Sequence, residues 1–322
     1  MKHLSIAKLV SLVSFTLLVA CESESASVGI KLEAMSFAGS EWSEPVNLAA
    51  INTGATDAQA NLSPDELSLY FQSDRTGDAD IWVSHRACRE CDWEAPVNLG
   101  PVINTTFIEN GPALSIDGHL LFFFSNRPGV GGNDIYVSRR THTHDDFDWG
   151  PPQILGSDVN TAAFELAPDY VRIADDQDAD GDGVATLYFH GGLDNGNRSD
   201  IYSAPVTRHG ETRGPAVLIA ELSYPNAPDG FPSVRRDGKE IFSGSGRPGG
   251  VSQFDLWTST RPSVHHPWSA PVNLGPPVNT QFGEFQPELS FDGRTLLFMV
   301  GPARGGLGGF DIWMSTRTVN GN

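Results

Sequence analysis

One tripeptide pattern, an aspartate followed by an aliphatic and then an aromatic residue, recurs five times and constrains this chain more than any other feature. It reads Asp80-Ile81-Trp82, Asp134-Ile135-Tyr136, Asp200-Ile201-Tyr202, Asp255-Leu256-Trp257 and Asp311-Ile312-Trp313, at spacings of 54, 66, 55 and 56 residues. Four copies run on to an arginine: Arg86, Arg140, Arg261 and Arg317. A period this regular marks a repeat architecture, whose units bury their apolar faces against their neighbours.

The units share an internal order. An acidic residue opens a short apolar-alternating segment, as at residues 109–115. A tight turn follows at Asp117-Gly118, Asp237-Gly238 or Asp292-Gly293, with Pro64-Asp65 in the first unit. Asp-Gly between alternating runs is a strong hairpin signal. A second strand and a glycine-rich loop lead to the Asp-Ile-Trp strand. The fourth segment reads Trp-x-x-Pro-Val-Asn-Leu from Trp42, Trp93 and Trp268, with a degenerate version from Trp149. Four short antiparallel strands per repeat make a propeller blade. The chain opens this pattern with a lone fourth segment (residues 42–48) and ends it after a third strand (residues 311–317), so its two ends can complete one blade. The expectation is all-β: a five-bladed β-propeller of four-stranded antiparallel blades over residues 42–322, closed by the N-terminal strand. An open array or solenoid is the alternative. With 34 glycines, 22 prolines and 19% charged residues, the composition suits short strands and many turns rather than a helical bundle.

The motif Leu-Ser-x-Asp-Gly-x-x-Leu-x-Phe, at residues 114–123 and 289–298, resembles the WD40-like propeller repeats of bacterial envelope proteins, including the propeller of TolB. The resemblance covers residues 42–317. The repeats here exceed the usual ~40–45 residues and add Asn-Thr-x-x-x-Glu/Asp elements at Asn52, Asn104, Asn160 and Asn279. The resemblance implies the fold and says little of activity, because propellers host many unrelated functions.

Residues 1–20 read as a secretory signal: Lys2 and Lys8 precede an apolar run of about a dozen residues, too short to span a bilayer. The run ends Leu18-Val19-Ala20-Cys21, which resembles the bacterial lipobox and implies lipidation of Cys21. Glu22 after the cysteine implies outer-membrane sorting, and residues 21–41 read as the lipidated cysteine and a flexible tether. The expected address is the cell envelope, as an outer-membrane lipoprotein facing the periplasm or the exterior. The chain carries 40 acidic and 21 basic residues, net charge −19. Such a body repels nucleic acid and anionic lipid, so membrane attachment rests on the N-terminal lipid alone.

The residue opening each first strand is acidic: Asp57, Glu109, Glu165, Asp229 and Glu284. The loop after the second strand carries Arg75, Arg127, Arg247 and Arg304, and the third unit has no arginine at the matching place. Two readings are open. The acids and arginines form a lattice stapling neighbouring blades, or unpaired acids at the channel mouth bind a cation or sugar hydroxyls. Glu165 is then the member left free.

Asp176, Asp178, Asp180 and Asp182 alternate in a glycine-containing loop, which fits a Ca2+ site or a solvated hairpin tip; the glutamate an EF-hand requires is missing. Cys88 and Cys91 form a single Cys-x-x-Cys, expected to be a local disulfide in an exported protein rather than half a zinc site. His142, His144, Asp145 and Asp146 either bind a metal on a loop or, as expected here, form a solvated one. The function expected is a monomeric binding or scaffolding module for an envelope protein or a glycan. The alternative is a glycoside hydrolase using carboxylates at the channel mouth, which would need two acids in unlike environments.

Overall fold

The computed structural model describes residues 41–172, 184–192 and 199–318. The strands are β1 (Val46–Asn47), β2 (Asp57–Leu62), β3 (Ser68–Ser73), β4 (Asp80–His85), β5 (Val97–Asn98), β6 (Glu109–Leu114), β7 (Leu120–Ser125), β8 (Asp134–Arg139), β9 (Gln153–Ile154) and β10 (Glu165–Arg172). They continue as β11 (Val184–Gly191), β12 (Asp200–Thr207), β13 (Val217–Leu218), β14 (Asp229–Val234), β15 (Glu240–Ser245), β16 (Asp255–Thr260), β17 (Val272–Asn273), β18 (Glu284–Leu289), β19 (Thr295–Val300) and β20 (Asp311–Thr316). Consecutive strands form four sheets, β2 to β5, β6 to β9, β10 to β13 and β14 to β17; the fifth runs β18-β19-β20-β1. The fold is therefore the five-bladed propeller of four-stranded antiparallel blades, and β1 closes it by pairing Val46 with Met314 and Asn47 with Trp313.

The first strands of neighbouring blades pack in a ring, with β18 returning to β2. Each carries a break in its pairing register two residues after its acid, where Gln59, Gly111, Ala167, Phe231 and Gln286 take positive φ. Only one of the five is glycine, so the bulge is imposed by the fold against local preference. Proline follows in four of them, at Pro112, Pro168, Pro232 and Pro287, where a bulge tolerates the missing N–H. Between blades the core is apolar and aromatic; Phe122 and Tyr170, from blades 2 and 3, stack at 5.1 Å.

The Asn-Thr elements are the hand-over points between blades. Asn104 accepts from the Ile81 N–H at 2.9 Å and donates to the Ile81 carbonyl at 2.9 Å, which ties the connecting loop to the blade it leaves. Thr105 then donates its N–H and hydroxyl to Glu109, the first residue of the blade it enters. Asn52, Asn160 and Asn279 grip Ile312, Ile135 and Leu256 in the same way. At the blade 3 to 4 junction Ser223 substitutes, accepting from the Ile201 N–H at 3.2 Å. Asn104→Ala leaves the buried Ile81 N–H unpaired, while the Ile81 carbonyl keeps the Leu99 N–H at 3.1 Å, so it is expected to cost about 1–3 kcal/mol in urea unfolding. Asn104→Ser, the variant blade 3 already uses, should cost less; equal costs would mean the amide pair contributes nothing.

Candidate functional site

All five acids that open the first strands are fully buried. Four hold an arginine of the same blade: Arg75 with Asp57 at 2.5 Å, Arg127 with Glu109 at 2.8 Å, Arg247 with Asp229 at 2.5 Å and Arg304 with Glu284 at 3.1 Å. Each arginine also donates to carbonyls of the loop entering its blade, as Arg75 does to Ile51 and Arg127 to Ile103. Each guanidinium lies over the aromatic residue of its own Asp-Ile-Trp strand: Trp82, Tyr136, Trp257 or Trp313. The ion pairs are thus internal to a blade, unlike the expected cross-blade staple. The grip on the neighbouring blade comes from the Asn-Thr elements.

Glu165 has no arginine partner among the described residues. It accepts the Thr161 N–H at 3.1 Å and the Thr161 hydroxyl at 2.6 Å. Burial pushes its pKa up to about 7; the Thr161 bonds oppose this and the Asp134 charge adds to it. Burial also raises the Asp229 and Glu284 carboxyls, against the pull of Arg247 and Arg304.

The central channel is narrow. At the level of the positive-φ residues Gln59, Gly111, Ala167, Phe231 and Gln286 it leaves a cavity of about 20 Å³, close to the room one water needs. Beyond this constriction two further carboxylates are half-buried, Asp169 and Glu288. Glu288 accepts from Asn61 at 2.6 Å and Ser233 at 3.2 Å, and Asp169 accepts the Val234 N–H at 2.6 Å. Burial raises both carboxyls, and the Asp169 charge raises Glu288 further. Sequence reading passed over these two. The available signal was their register: they stand four residues after Glu165 and Glu284, where the other blades place Asn61, Ala113 and Ser233.

A larger cleft, about 370 Å³, opens between blades 1 and 2 on the side of the strand 1–2 hairpins, away from the acidic ring. Its wall is a hydrogen-bond chain. Ser68 Oγ lies 3.0 Å from His85 Nδ1, and His85 Nε2 lies 2.5 Å from Asp146. Asp146 also accepts from the Tyr70 hydroxyl at 2.6 Å and from Arg140 at 3.3 Å. Because Asp146 only accepts, His85 Nε2 donates to it; in the neutral tautomer this leaves Nδ1 to accept from the Ser68 hydroxyl. Asp146 is therefore not the solvated loop residue expected from sequence, whereas His142 in the same loop is largely exposed and pairs with Asp148 at 2.9 Å.

A disulfide joins Cys88 to Cys91, with Cα atoms 5.0 Å apart. Nearby, Arg89 bridges Asp292 of blade 5 at 3.0 Å and Glu66 at 3.5 Å. Asp176, Asp178, Asp180, Asp182 and Cys21 lie outside the described residues. Among the described residues no cluster of three or more His, Cys, Asp or Glu side chains is arranged to hold a metal.

No protein-family model matches the chain, and no curated protein matches it by sequence. Solved structures do share the fold. The α-L-arabinofuranosidase from Lactobacillus brevis is 15% identical with a TM-score of 0.57, covering 82% of this chain and 90% of that one. The α-L-arabinofuranosidase PaAbf62A from Podospora anserina, solved with cellotriose, is 12% identical with a TM-score of 0.54, covering 82% and 92%. TolB from Acinetobacter baumannii aligns at 14% identity and a TM-score of 0.46, over 83% of this chain and 56% of that one. At these identities the likeness is one of fold.

Proposed function

We propose that this chain is a carbohydrate-binding propeller of the cell envelope, held there by lipid on Cys21. The observation favouring binding over chemistry at the ring is that the four arginine-paired acids are fully committed and the channel, two residues further along the first strands, narrows to about 20 Å³, far below the ~300–1,000 Å³ of ligand pockets. The carbohydrate class takes support from the arabinofuranosidases that share the fold. The test is a glycan array followed by titration calorimetry on the hits. Saturable binding without release of reducing sugar is expected; a flat array would redirect the search to an envelope protein as partner. Anchoring is tested separately: Cys21→Ser should move the protein from the membrane pellet to the soluble fraction, and an unchanged distribution would remove the lipid.

A second reading, a glycoside hydrolase, has its own observation. Glu165, Asp169 and Glu288 lack arginine partners among the described residues and have raised pKa values, the unlike environments an acid and a base require. Arabinose release from arabinan, lost in Glu165→Gln or Glu288→Gln, would establish it. No release from arabinan or arabinoxylan by the parent chain would end it.

A further inference from the structure

We propose that the cleft between blades 1 and 2 is the binding site for a sugar unit without a carboxylate, an assignment that rests on the carbohydrate reading above. The cleft arises where the repeat breaks its own symmetry. Arg86 and Trp93, like Arg261 and Trp268, are seven positions apart, but Arg140 and Trp149 are nine apart. The added length brings Asp146 back onto blade 1, where Tyr70 and His85 fix it.

The chemistry of the wall selects the ligand. Leu114 and Ile116 line it with apolar surface, and Asp65 and Asp117 give it negative charge. The cations are already committed. Arg86 lies over Trp93 and donates to the Glu66 carbonyl, and Arg140 lies over Trp149 and donates to the Gly118 carbonyl. An anionic ligand would meet uncompensated carboxylates, whereas hydroxyls would find acceptors. Thr143 and His144 also line the cleft and hydrogen-bond to no protein group among the described residues. The ~370 Å³ volume lies within the range of small-ligand pockets. The Ser68-His85-Asp146 chain has the order of a nucleophile relay, but the adjacent amides are occupied: the Ser68 N–H by Ser63 Oγ and the Leu67 N–H by Asp65. With no free amide beside Ser68 to stabilise an oxyanion, the chain holds the wall in shape rather than reacting.

The experiment titrates the whole chain with cellobiose, arabinobiose and diacetylchitobiose, and with digalacturonate as the anionic control. It follows histidine ring signals by NMR and heat by calorimetry. At least one neutral probe should shift the His144 and His85 signals saturably, and digalacturonate should not. The double variant Thr143→Ala/His144→Ala should weaken binding at least tenfold with an unchanged urea midpoint, since neither side chain holds the fold. Binding that survives the double variant would overturn the cleft and leave the carbohydrate reading standing. No binding by any probe, on a protein whose glycan array is also flat, would remove both. Preference for digalacturonate would overturn the charge argument.

Discussion

Arg127→Ala is expected to destabilise the propeller by about 3–5 kcal/mol at pH 8. Its guanidinium donates to Glu109 at 2.8 Å, to the Ile103 carbonyl at 2.9 Å and, through Nε, to Ser125 at 3.2 Å. Truncation strands a fully buried carboxylate with only Thr105 and Ser125 as donors. It also removes the cation lying over Phe123 and Tyr136, at 5.3 and 5.0 Å. Much of the cost is the uncompensated charge rather than the lost attraction. One consequence separates these. Glu109→Gln/Arg127→Met should recover much of the stability, because neither charge then needs solvation. Urea unfolding of both variants at pH 8 checks this. A loss below about 1 kcal/mol in Arg127→Ala, or no recovery in the double variant, would show that the pair is not what holds blade 2 to its entering loop.

Among the described residues blade 3 shows no counterpart of that pair, and the difference was readable in advance. That no arginine stands where the loop after β11 matches Arg127 can be seen by aligning the repeats, and so can blade count, ring closure and the acid opening each first strand. These follow from period and turn chemistry, which one chain displays five times. The positive-φ bulge was not readable. Gln59, Ala167, Phe231 and Gln286 have no local preference for that conformation, and only the closure of five inner strands around a narrow axis demands it. The Asn-Thr element was visible as a pattern, but its job was not, because the partners of Asn52 lie 260 residues away on Ile312. The cleft was hidden for a related reason. Ser68 and His85 belong to one repeat and Asp146 to the next, they carry no motif, and their one trace in the sequence is the nine-position spacing of Arg140 and Trp149. Repetition makes the scaffold legible, while its departures from repetition must be located in space before their chemistry can be read.

Glu165→Gln is expected to act in the opposite direction to Arg127→Ala and to stabilise the protein above neutral pH. The folded-state pKa of Glu165 is pushed from 4.5 up to about 7. A carboxyl raised in this way costs nothing while protonated in both states, below about pH 4.5. The cost grows as the unfolded chain ionises and the folded one does not, and levels off above about pH 7. The shift corresponds to a burden of roughly 3 kcal/mol on the alkaline plateau. Glutamine keeps a side-chain oxygen to accept from Thr161 but adds an amide NH2 that needs its own acceptor, so the gain at pH 8 should be about 1–3 kcal/mol. Asp169, Glu288 and Glu66 are also raised, so the parent profile alone cannot assign the effect. The difference between parent and variant stability across pH 4–9 isolates Glu165: near zero at the acid end, rising through pH 5–7 and flat above. A difference that does not change with pH would mean the folded Glu165 titrates like an exposed carboxylate. The same variant bears on function. Residues kept at a cost to stability are found where activity requires them. A Glu165→Gln protein that is more stable but has lost arabinose release would place chemistry at blade 3, whereas one that is more stable and binds glycan unchanged would leave Glu165 a structural member of the acidic ring.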